Sequence, residues 1–181
     1  CSSDLIVNAK RLVDAGAKVI AIACNTAHLW FELLEKEIPV TIIHIVDSAI
    51  EAVYRVGNSR PVVGLLATEA TISSGLYVNR GSLIAKAQGK ELAWLMPTAE
   101  EISEWVMPAI SSIKAGDLKS GHSLLIRAAN ALKDRGATAI IMGCTEIPLV
   151  LNSLDSEVPL IDPTQSLATK VVEWSTHQSS N

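Results

Sequence analysis

Two cysteines occupy matching places in the sequence, each shortly after a mostly apolar run. Cys24 follows residues 19–23, and Cys144 follows residues 137–142. Each is followed by side chains that can hydrogen-bond, namely Asn25 and Thr26 in the first case and Thr145 and Glu146 in the second. A thiolate can remove a proton from an acidic carbon and a thiol can return one, so a facing pair could invert a stereocentre without a cofactor. The pattern therefore predicts a two-thiol site.

The neighbours of the cysteines predict what the thiols act on. If each cysteine lies where a strand gives way to a helix, unpaired backbone N–H groups point towards it and, with the side chains of Asn25, Thr26 and Thr145, suit a carboxylate. The positive helix end would also lower the thiol pKa from about 8.5 and favour the thiolate. Since near-attack contacts are about 3–3.5 Å, we expect the sulfurs to stand roughly 6–7 Å apart across a bound acid. A disulfide would hold them about 2 Å apart.

The elements that must position these residues alternate between strands and helices. Apolar, β-branched runs predict strands at residues 19–23, 39–46, 61–67, 91–96, 137–142 and 158–162. Helical periodicity lies between them, including a helix that opens at Asp47 or Ser48 and closes at Gly57. Thr68 and Thr71 fall in a loop after the third strand. Strands separated by helices form βαβ units with a mostly parallel sheet, so the fold class is α/β.

The chain also matches itself when it is shifted by 120 positions. Gly16 then falls on Gly136, Ile20 on Ile140 and Cys24 on Cys144, and further identities extend without gaps over residues 5–39. Such a self-match predicts two similar half-molecules. Ligands of open parallel sheets bind beyond the carboxyl ends of the strands, where both cysteines lie. Two halves that face each other across a pseudo-twofold axis would therefore put both thiols on one cleft.

Composition limits the function classes. The 181 residues are 49% hydrophobic and carry a net charge of -4, which predicts a soluble, mildly acidic globular protein. No basic block is present to neutralise a phosphate backbone, so we expect no nucleic-acid partner. No apolar run reaches the roughly 18–20 residues of a membrane span, so no membrane partner is expected. Three cysteines without metal-type spacing favour a reducing, cytoplasmic setting and no metal site.

The motifs around the cysteines resemble those of the aspartate/glutamate racemase family, the cofactor-independent two-cysteine racemases. The sequence "ACNTAH" at residues 23–28 is similar to the first cysteine motif, and "GCTE" at residues 143–146 to the second. Residues 65–77 resemble a threonine-bearing loop of the family, and residues 114–117 and 158–163 also match. The glutamate in "GCTE" resembles the aspartate branch more than the glutamate branch. The similarity covers nearly the whole chain.

The resemblance implies two pseudo-symmetric Rossmann-like domains with mostly parallel sheets, assembled as a homodimer. It implies that Cys24 and Cys144 are the acid/base pair and that no cofactor is used. The α-carboxylate of an amino-acid or dicarboxylic-acid substrate would be held by a set of polar residues, while Lys114 would pair with the side-chain carboxylate. The implied substrate-binding set is Asn25, Thr26, Thr68, Thr71, Lys114, Thr145 and Glu146. The implied reaction is racemisation of an acidic amino acid, with aspartate preferred and glutamate possible.

The first domain is expected to lack its initial strands in this chain, because the family begins with a strand, a glycine-rich loop and a second strand that are not matched here. We therefore expect residues 1–46 to form the remainder of the first domain, 47–162 the second, and 163–181 a C-terminal helix that packs back on the first. Such a chain would be a poor catalyst, and an upstream segment could carry a targeting sequence. A truncated, non-catalytic racemase-like protein is one alternative, and a hydantoin racemase or maleate isomerase chemistry is another.

Several candidate residues also allow a purely structural interpretation. Cys24 taken alone could be a small buried core residue, but the repeated context around Cys144 favours chemistry. Thr26 and Thr145 could cap the helices that follow them. Glu146 could act as a cap, a partner of the helix dipole or an assistant to the thiol. His28 could tune Cys24 or simply pack in the interior.

Overall fold

The computed structural model describes residues 2–57 and 59–178. The helices are α1 Ser2–Asp14, α2 Phe31–Glu37, α3 Ile45–Arg55, α4 Glu69–Ser73, α5 Leu76–Ala87, α6 Ala99–Glu101, α7 Met107–Lys114, α8 Leu118–Asp134 and α9 Pro163–Gln178. The strands are β1 Val19–Ala21, β2 Thr41–Ile43, β3 Val62–Leu66, β4 Ala93–Leu95, β5 Ala139–Met142 and β6 Leu160–Ile161. Short 3-10 turns at Thr26–Trp30 and Ile147–Leu149 follow the two cysteines, and a π-helical segment, Ile102–Val106, joins α6 to α7.

The strands form two parallel sheets, which confirms the predicted α/β class. β1 pairs with β2 in a two-stranded sheet, and the second sheet has the order β4-β3-β5-β6. Every strand pair is parallel, as crossover helices require. β5 is buried along its whole length because helices cover both faces of the larger sheet.

The predicted repeat has a structural counterpart in the order of the elements. The order α1, β1, 3-10 turn and β2 recurs as α8, β5, 3-10 turn and β6, except that α2 precedes β2 in the first copy and no α-helix precedes β6 in the second. The strand register is not identical, because Ile20 lies opposite Ile42 whereas Ile140 lies opposite Leu160. Each copy thus delivers a cysteine to the carboxyl end of a parallel strand.

Three apolar clusters hold these layers together. The cluster of the smaller sheet includes Ile20, Phe31 and Leu34. We call each sheet with the helices packed on it a unit. Two further clusters lie in the larger unit, on the four-stranded sheet, one with α7 and α8 and one with α3 and α5. α9 packs mainly on α3 and also contacts β1 and β2, so it touches both units.

The observed strands are shorter than the predicted runs, and the predicted boundary between the second strand and the helix after it is wrong. The helix expected to open at Asp47 or Ser48 begins at Ile45, and the expected strand through residue 46 ends at Ile43. The cause is His44, whose Nδ1 accepts a hydrogen bond from the backbone N–H of Val46 and so caps α3. Thr71 likewise lies within the short helix α4 rather than in a loop, because Thr68 caps that helix.

Candidate active site

The carboxyl ends of β1, β3 and β5 and the last residue of α7 enclose one small cavity. Its volume is about 120 Å³, well below the roughly 300–1,000 Å³ of pockets for drug-sized ligands. It is lined by Cys24, Asn25, Thr26, Thr68, Lys114, Gly143, Cys144, Thr145 and Glu146. Of the predicted site residues, Thr71 alone is absent from this lining. The space suits a small molecule.

Both cysteines reach this cavity as free thiols, one from each copy of the repeat. Cys24 follows β1 and is exposed, whereas Cys144 follows β5 and is buried, with 8% of its surface accessible. The two thiols therefore share one cavity but differ in their exposure to water.

The surroundings of Cys144 overturn the expectation of a lowered thiol pKa. Burial, followed by the hydrogen bond to Glu146, raises the pKa of Cys144 to about 12. Its sulfur donates to Glu146 Oε2 at 2.8 Å. The element that follows this cysteine is a short 3-10 turn at residues 147–149 rather than an α-helix. Cys144 therefore carries its proton at neutral pH.

Glu146 connects the thiol to a cation. Its Oε1 lies 3.4 Å from Lys114 Nζ, and its Oε2 also accepts a hydrogen bond from the Thr145 hydroxyl at 3.2 Å. Burial opposes ionisation of this carboxyl, but the hydrogen bond from Cys144 and the nearby Lys114 hold its pKa below the usual value. Lys114 ends α7 and keeps 57% of its side chain exposed. The result is a charged Lys114–Glu146 pair beside a protonated thiol.

Asn25 belongs to the first copy of the repeat, whereas Glu146 belongs to the second. The Asn25 residue is 3% exposed. Its Oδ1 accepts a hydrogen bond from the Tyr77 hydroxyl at 2.5 Å. Its Nδ2 is buried and has no hydrogen-bond partner among the residues that the structure describes. A buried amide donor without a partner costs about 1–3 kcal/mol, so Asn25, which lines the cavity, carries a donor that is free to bind an acceptor.

The three threonines from residues 26, 68 and 71 form a chain of hydroxyls. Thr68 donates to Thr71 at 3.1 Å, and the Thr71 and Thr26 hydroxyl oxygens are 2.8 Å apart. Thr71 accepts from Thr68, and either Thr71 or Thr26 can donate in the second contact. If Thr71 donates, the Thr26 hydroxyl keeps its own proton for another acceptor. Thr71 is buried behind the cavity wall, where it positions the other two hydroxyls.

The capping alternatives are resolved by the same contacts. Neither 3-10 turn after a cysteine has a side-chain cap, so Thr26 and Thr145 are not caps. Thr68 does cap α4, by accepting from the backbone N–H of Thr71 at 3.3 Å. Glu146 is neither a side-chain cap nor a free charge, because it accepts from the thiol.

His28 is packed in the interior and holds the backbone of Cys24. Its Nε2 accepts from the backbone N–H of Ile45 at 3.2 Å, and its Nδ1 lies 2.9 Å from the Cys24 carbonyl oxygen. Nδ1 must therefore carry the ring proton. Burial lowers the pKa of His28, which keeps this neutral tautomer. Its contact with Cys24 is through the carbonyl group rather than the sulfur.

Two residues of the site carry no signal of their own in the sequence. Tyr77 lies within helical periodicity and gave no indication that it reaches Asn25. Gly143 precedes Cys144, and a Cβ there would lie 2.9 Å from Leu65 Cδ1 and 3.0 Å from Ala67 Cβ. The close packing of the Cys144 loop on β3 therefore requires glycine, which could have been suspected only from its place before a cysteine.

Two features are absent from the described ranges, 2–57 and 59–178. These ranges contain no group of three or more His, Cys, Asp or Glu side chains that could hold a metal ion. In the same ranges, no helix combines the length and the apolar character that crossing a bilayer requires.

Comparison with known proteins places this cavity in context. The family model for Asp/Glu/Hydantoin racemase matches residues 1–171. The broad specificity amino-acid racemase RacX of Bacillus subtilis (strain 168) is 29% identical over 168 residues, covering 93% of this chain and 69% of the relative. A glutamate racemase of Limosilactobacillus reuteri (strain DSM 20016) is 30% identical over 163 residues, covering 85% of this chain and 55% of the relative, about half its length.

Solved structures agree with these sequence relatives. The crystal structure of an aspartate racemase homologue from Pyrococcus horikoshii OT3 superposes with a TM-score of 0.80 at 29% identity. The superposition covers 97% of this chain and 74% of that chain. The fold described above is therefore similar to most of a known racemase homologue.

Proposed function

Because this chain belongs to the Asp/Glu/hydantoin racemase family, we propose that it racemises an amino acid, with acidic amino acids preferred and no cofactor required. The observation that supports this most directly is the pairing of Cys24 and Cys144 on one small cavity, each delivered by one copy of the repeat. Two thiols on separate surfaces could not act on one carbon atom.

The substrate α-carboxylate is proposed to bind between the first copy of the repeat and the threonine chain. The Nδ2 group of Asn25 and the hydroxyl of Thr26 supply the donors, with Thr68 and Thr145 on the cavity wall. A carboxylate only accepts hydrogen bonds, so it can satisfy the buried Asn25 donor. These hydrogen bonds to the carboxylate would hold the α-carbon between the two sulfur atoms.

Proton transfer is then proposed to run from one face of the α-carbon to the other. Cys144 holds its proton because its pKa is raised by burial and by Glu146, so it starts as the acid and Cys24 as the base. The α-proton leaves carbon and forms an S–H bond with the unprotonated sulfur of Cys24, while the S–H bond of Cys144 breaks and its proton is delivered to the opposite face of the carbon. Glu146 then faces the Cys144 thiolate, and Lys114 offsets the added negative charge. In the reverse direction the two sulfurs exchange roles.

Lys114 is proposed to favour acidic substrates. Its ammonium group lines the cavity and could pair with a distal carboxylate. We expect Lys114 to favour acidic over uncharged amino acids only modestly, because more than half of its side chain is exposed. Ion pairs with exposed groups contribute roughly 0–1 kcal/mol.

A broader amino-acid specificity is the second candidate function. Glu146 already neutralises part of the Lys114 charge across 3.4 Å, so the cavity does not demand a second carboxylate. The relative in Bacillus subtilis is named a broad specificity amino-acid racemase. Comparing kcat/KM for aspartate, glutamate and alanine separates the candidates, because comparable values for all three would favour broad specificity.

The deciding experiment is exchange of the α-proton in deuterium oxide. As expected of a poor catalyst, the chain should introduce deuterium into L-aspartate slowly, and Cys24→Ser and Cys144→Ser should reduce that rate by roughly 10²–10⁴-fold, the range of acid–base catalysis. Cys1→Ser is the matched control and should leave the rate unchanged. A folded wild-type protein that exchanges no deuterium would contradict the proposal and favour a non-catalytic racemase-like protein.

Assembly and location remain predictions. We expect a homodimer, and exposed leucines such as Leu83, Leu149 and Leu154 offer apolar surface for an interface. Light scattering after gel filtration measures the mass in solution, and a monomer at all concentrations would contradict the homodimer. The cytoplasmic location is checked by fractionating cells that produce the protein.

A further inference from the structure

We propose that Tyr77 is a positioning residue that fixes which end of the Asn25 side chain faces the cavity. The kinetic consequence rests on the proposed racemase function, whereas the geometry and the binding test below do not. The proposal concerns a hydroxyl on α5, in the second sheet's unit, and an amide on the loop after β1.

The contact is short and fully enclosed. The Tyr77 hydroxyl donates to Asn25 Oδ1 at 2.5 Å, and Tyr77 is 0% exposed. Its ring belongs to the core cluster with α3 and β3 and meets Trp94 edge-on, with ring centroids 6.2 Å apart. The hydroxyl therefore cannot move to another partner without disturbing the core.

The donor role of Tyr77 determines the orientation of the amide. Burial raises the pKa of Tyr77 far above its usual value, so the phenol stays protonated and needs an acceptor. Only the oxygen of an amide side chain can accept, which leaves Nδ2 for the other direction. Nδ2 has no partner in residues 2–57 and 59–178, and Asn25 lines the cavity.

A parallel contact supports the same interpretation. Thr26, the next residue, is held by Thr71 of the second unit at 2.8 Å between hydroxyl oxygens. Asn25 and Thr26 are thus both oriented from across the boundary between the units. Tyr77 sets the amide, Thr71 sets the hydroxyl, and together they turn two donors towards an anion.

The experiment compares removal of the two tyrosine hydroxyls in this chain. Tyr77→Phe keeps the ring in the core, and Tyr54→Phe is the matched control, because the Tyr54 hydroxyl donates to the Glu91 carbonyl away from the cavity. We expect Y77F to raise KM for aspartate roughly tenfold with kcat within about threefold, since a binding interaction is lost. Y54F should change neither. Equal KM values for Y77F and Y54F in an active protein would overturn the proposal.

A binding measurement decides the question even if the chain shows no turnover. The side-chain amide of Asn25 is followed by 15N NMR while succinate is added. In the wild type we expect the Asn25 signals to shift with saturation, and in Y77F the midpoint should move to roughly tenfold higher succinate. Absence of α-proton exchange would reject the racemase function alone, whereas unchanged midpoints in Y77F would reject the role of Tyr77.

A second measurement covers the case in which Y77F does not fold. The chain contains two tyrosines, so 3-fluorotyrosine incorporated into the Y54F protein labels Tyr77 alone. Because its hydroxyl bonds directly to Asn25, we expect the single 19F signal to shift when succinate binds. A 19F signal that stays fixed while the Asn25 amide saturates with succinate would overturn the proposal.

Discussion

Glu146 Oε2 accepts a hydrogen bond from the Cys144 thiol at 2.8 Å, within one loop at the end of β5. The contact stabilises the neutral thiol and, after burial, is the main reason that the pKa of Cys144 lies at about 12. At pH 8 only roughly one thiol in 10⁴ would then be ionised. Cys144 is therefore set up as a proton donor that becomes a base only when its surroundings change.

Glu146→Gln should lower the pKa of Cys144. The amide removes the negative charge next to the sulfur while keeping the shape of the side chain, so the thiolate becomes easier to form. We expect iodoacetamide to modify Cys144 faster at pH 8 in the variant, measured by mass spectrometry in a background with Cys1 and Cys24 replaced by serine. Glu101→Gln, which changes an ion pair with Arg135 on another surface, is the control. An unchanged rate would mean that Glu146 does not set this pKa.

Lys114→Ala should reduce activity with aspartate more than with alanine. The ammonium group can pair with a side-chain carboxylate, which alanine lacks, and the loss should be several-fold rather than many orders of magnitude because Lys114 is largely exposed. The measurement is kcat/KM for both amino acids. Lys119→Ala removes a neighbouring exposed lysine and serves as the control. Equal losses with both substrates would argue against a role of Lys114 in selecting acidic substrates.

Folding stability should fall as the pH is lowered through the range 6.5 to 3, because of His44. Burial, followed by the neighbouring His28, lowers the pKa of His44 from 6.5 to about 3. His44 therefore binds a proton below about pH 6.5 in the unfolded chain, but only below about pH 3 in the folded chain. The contribution of neutral His44 to the free energy of unfolding is complete above pH 6.5. About 2 kcal/mol of this free energy is lost between pH 7 and pH 5.

His44→Asn tests this assignment, because asparagine can still cap α3 but does not titrate. Urea unfolding at pH 7 and pH 5 should show a smaller loss of stability in the variant, by about 2 kcal/mol. His177→Asn alters an exposed histidine in α9 and should behave like the wild type. If H44N loses as much stability as the wild type, His44 is not the group responsible.

Gly143→Ala should destabilise the chain by about 1–3 kcal/mol, the usual cost of overpacking a tight core. The added Cβ would meet Leu65 Cδ1 at 2.9 Å and Ala67 Cβ at 3.0 Å. Removing the second contact with Ala67→Gly should recover part of the loss. In a double-mutant cycle measured by urea unfolding, the two changes together should therefore cost less than their sum. Strict additivity would show that Ala67 is not the obstacle.

The sequence was sufficient for the strands that carry the cysteines. Residues 19–23 and 137–142 are mostly apolar runs that begin shortly after Gly16 and Gly136, and each contains one of the observed strands, β1 or β5. A parallel sheet brings the carboxyl ends of its strands to one edge. The sequence did not predict where α3 begins, because Ile45 and Val46 are β-branched and apolar residues that are compatible with either a strand or a helix. There the cap by His44 decided the outcome.

The sequence predicted the residues that line the cavity better than it predicted their hydrogen bonds and pKa values. Most of the expected residues line it, since strand ends and a repeat determine their location. The bond from Tyr77 to Asn25 joins residues 52 positions apart, and it depends on how the two units pack. The raised pKa of Cys144 depends on its burial, which neither the repeat nor the local motif specifies.

The unequal accessibility of the two sulfurs has a thermodynamic consequence. The two mirror-image forms of an amino acid have the same free energy, so the equilibrium constant of their interconversion is one. Under the proposed function, the Haldane relation therefore forces kcat/KM to be identical for the L and D forms, however different the thiols are. The asymmetry between a solvent-facing sulfur and a buried one can appear only as kcat and KM rising or falling together from one form to the other.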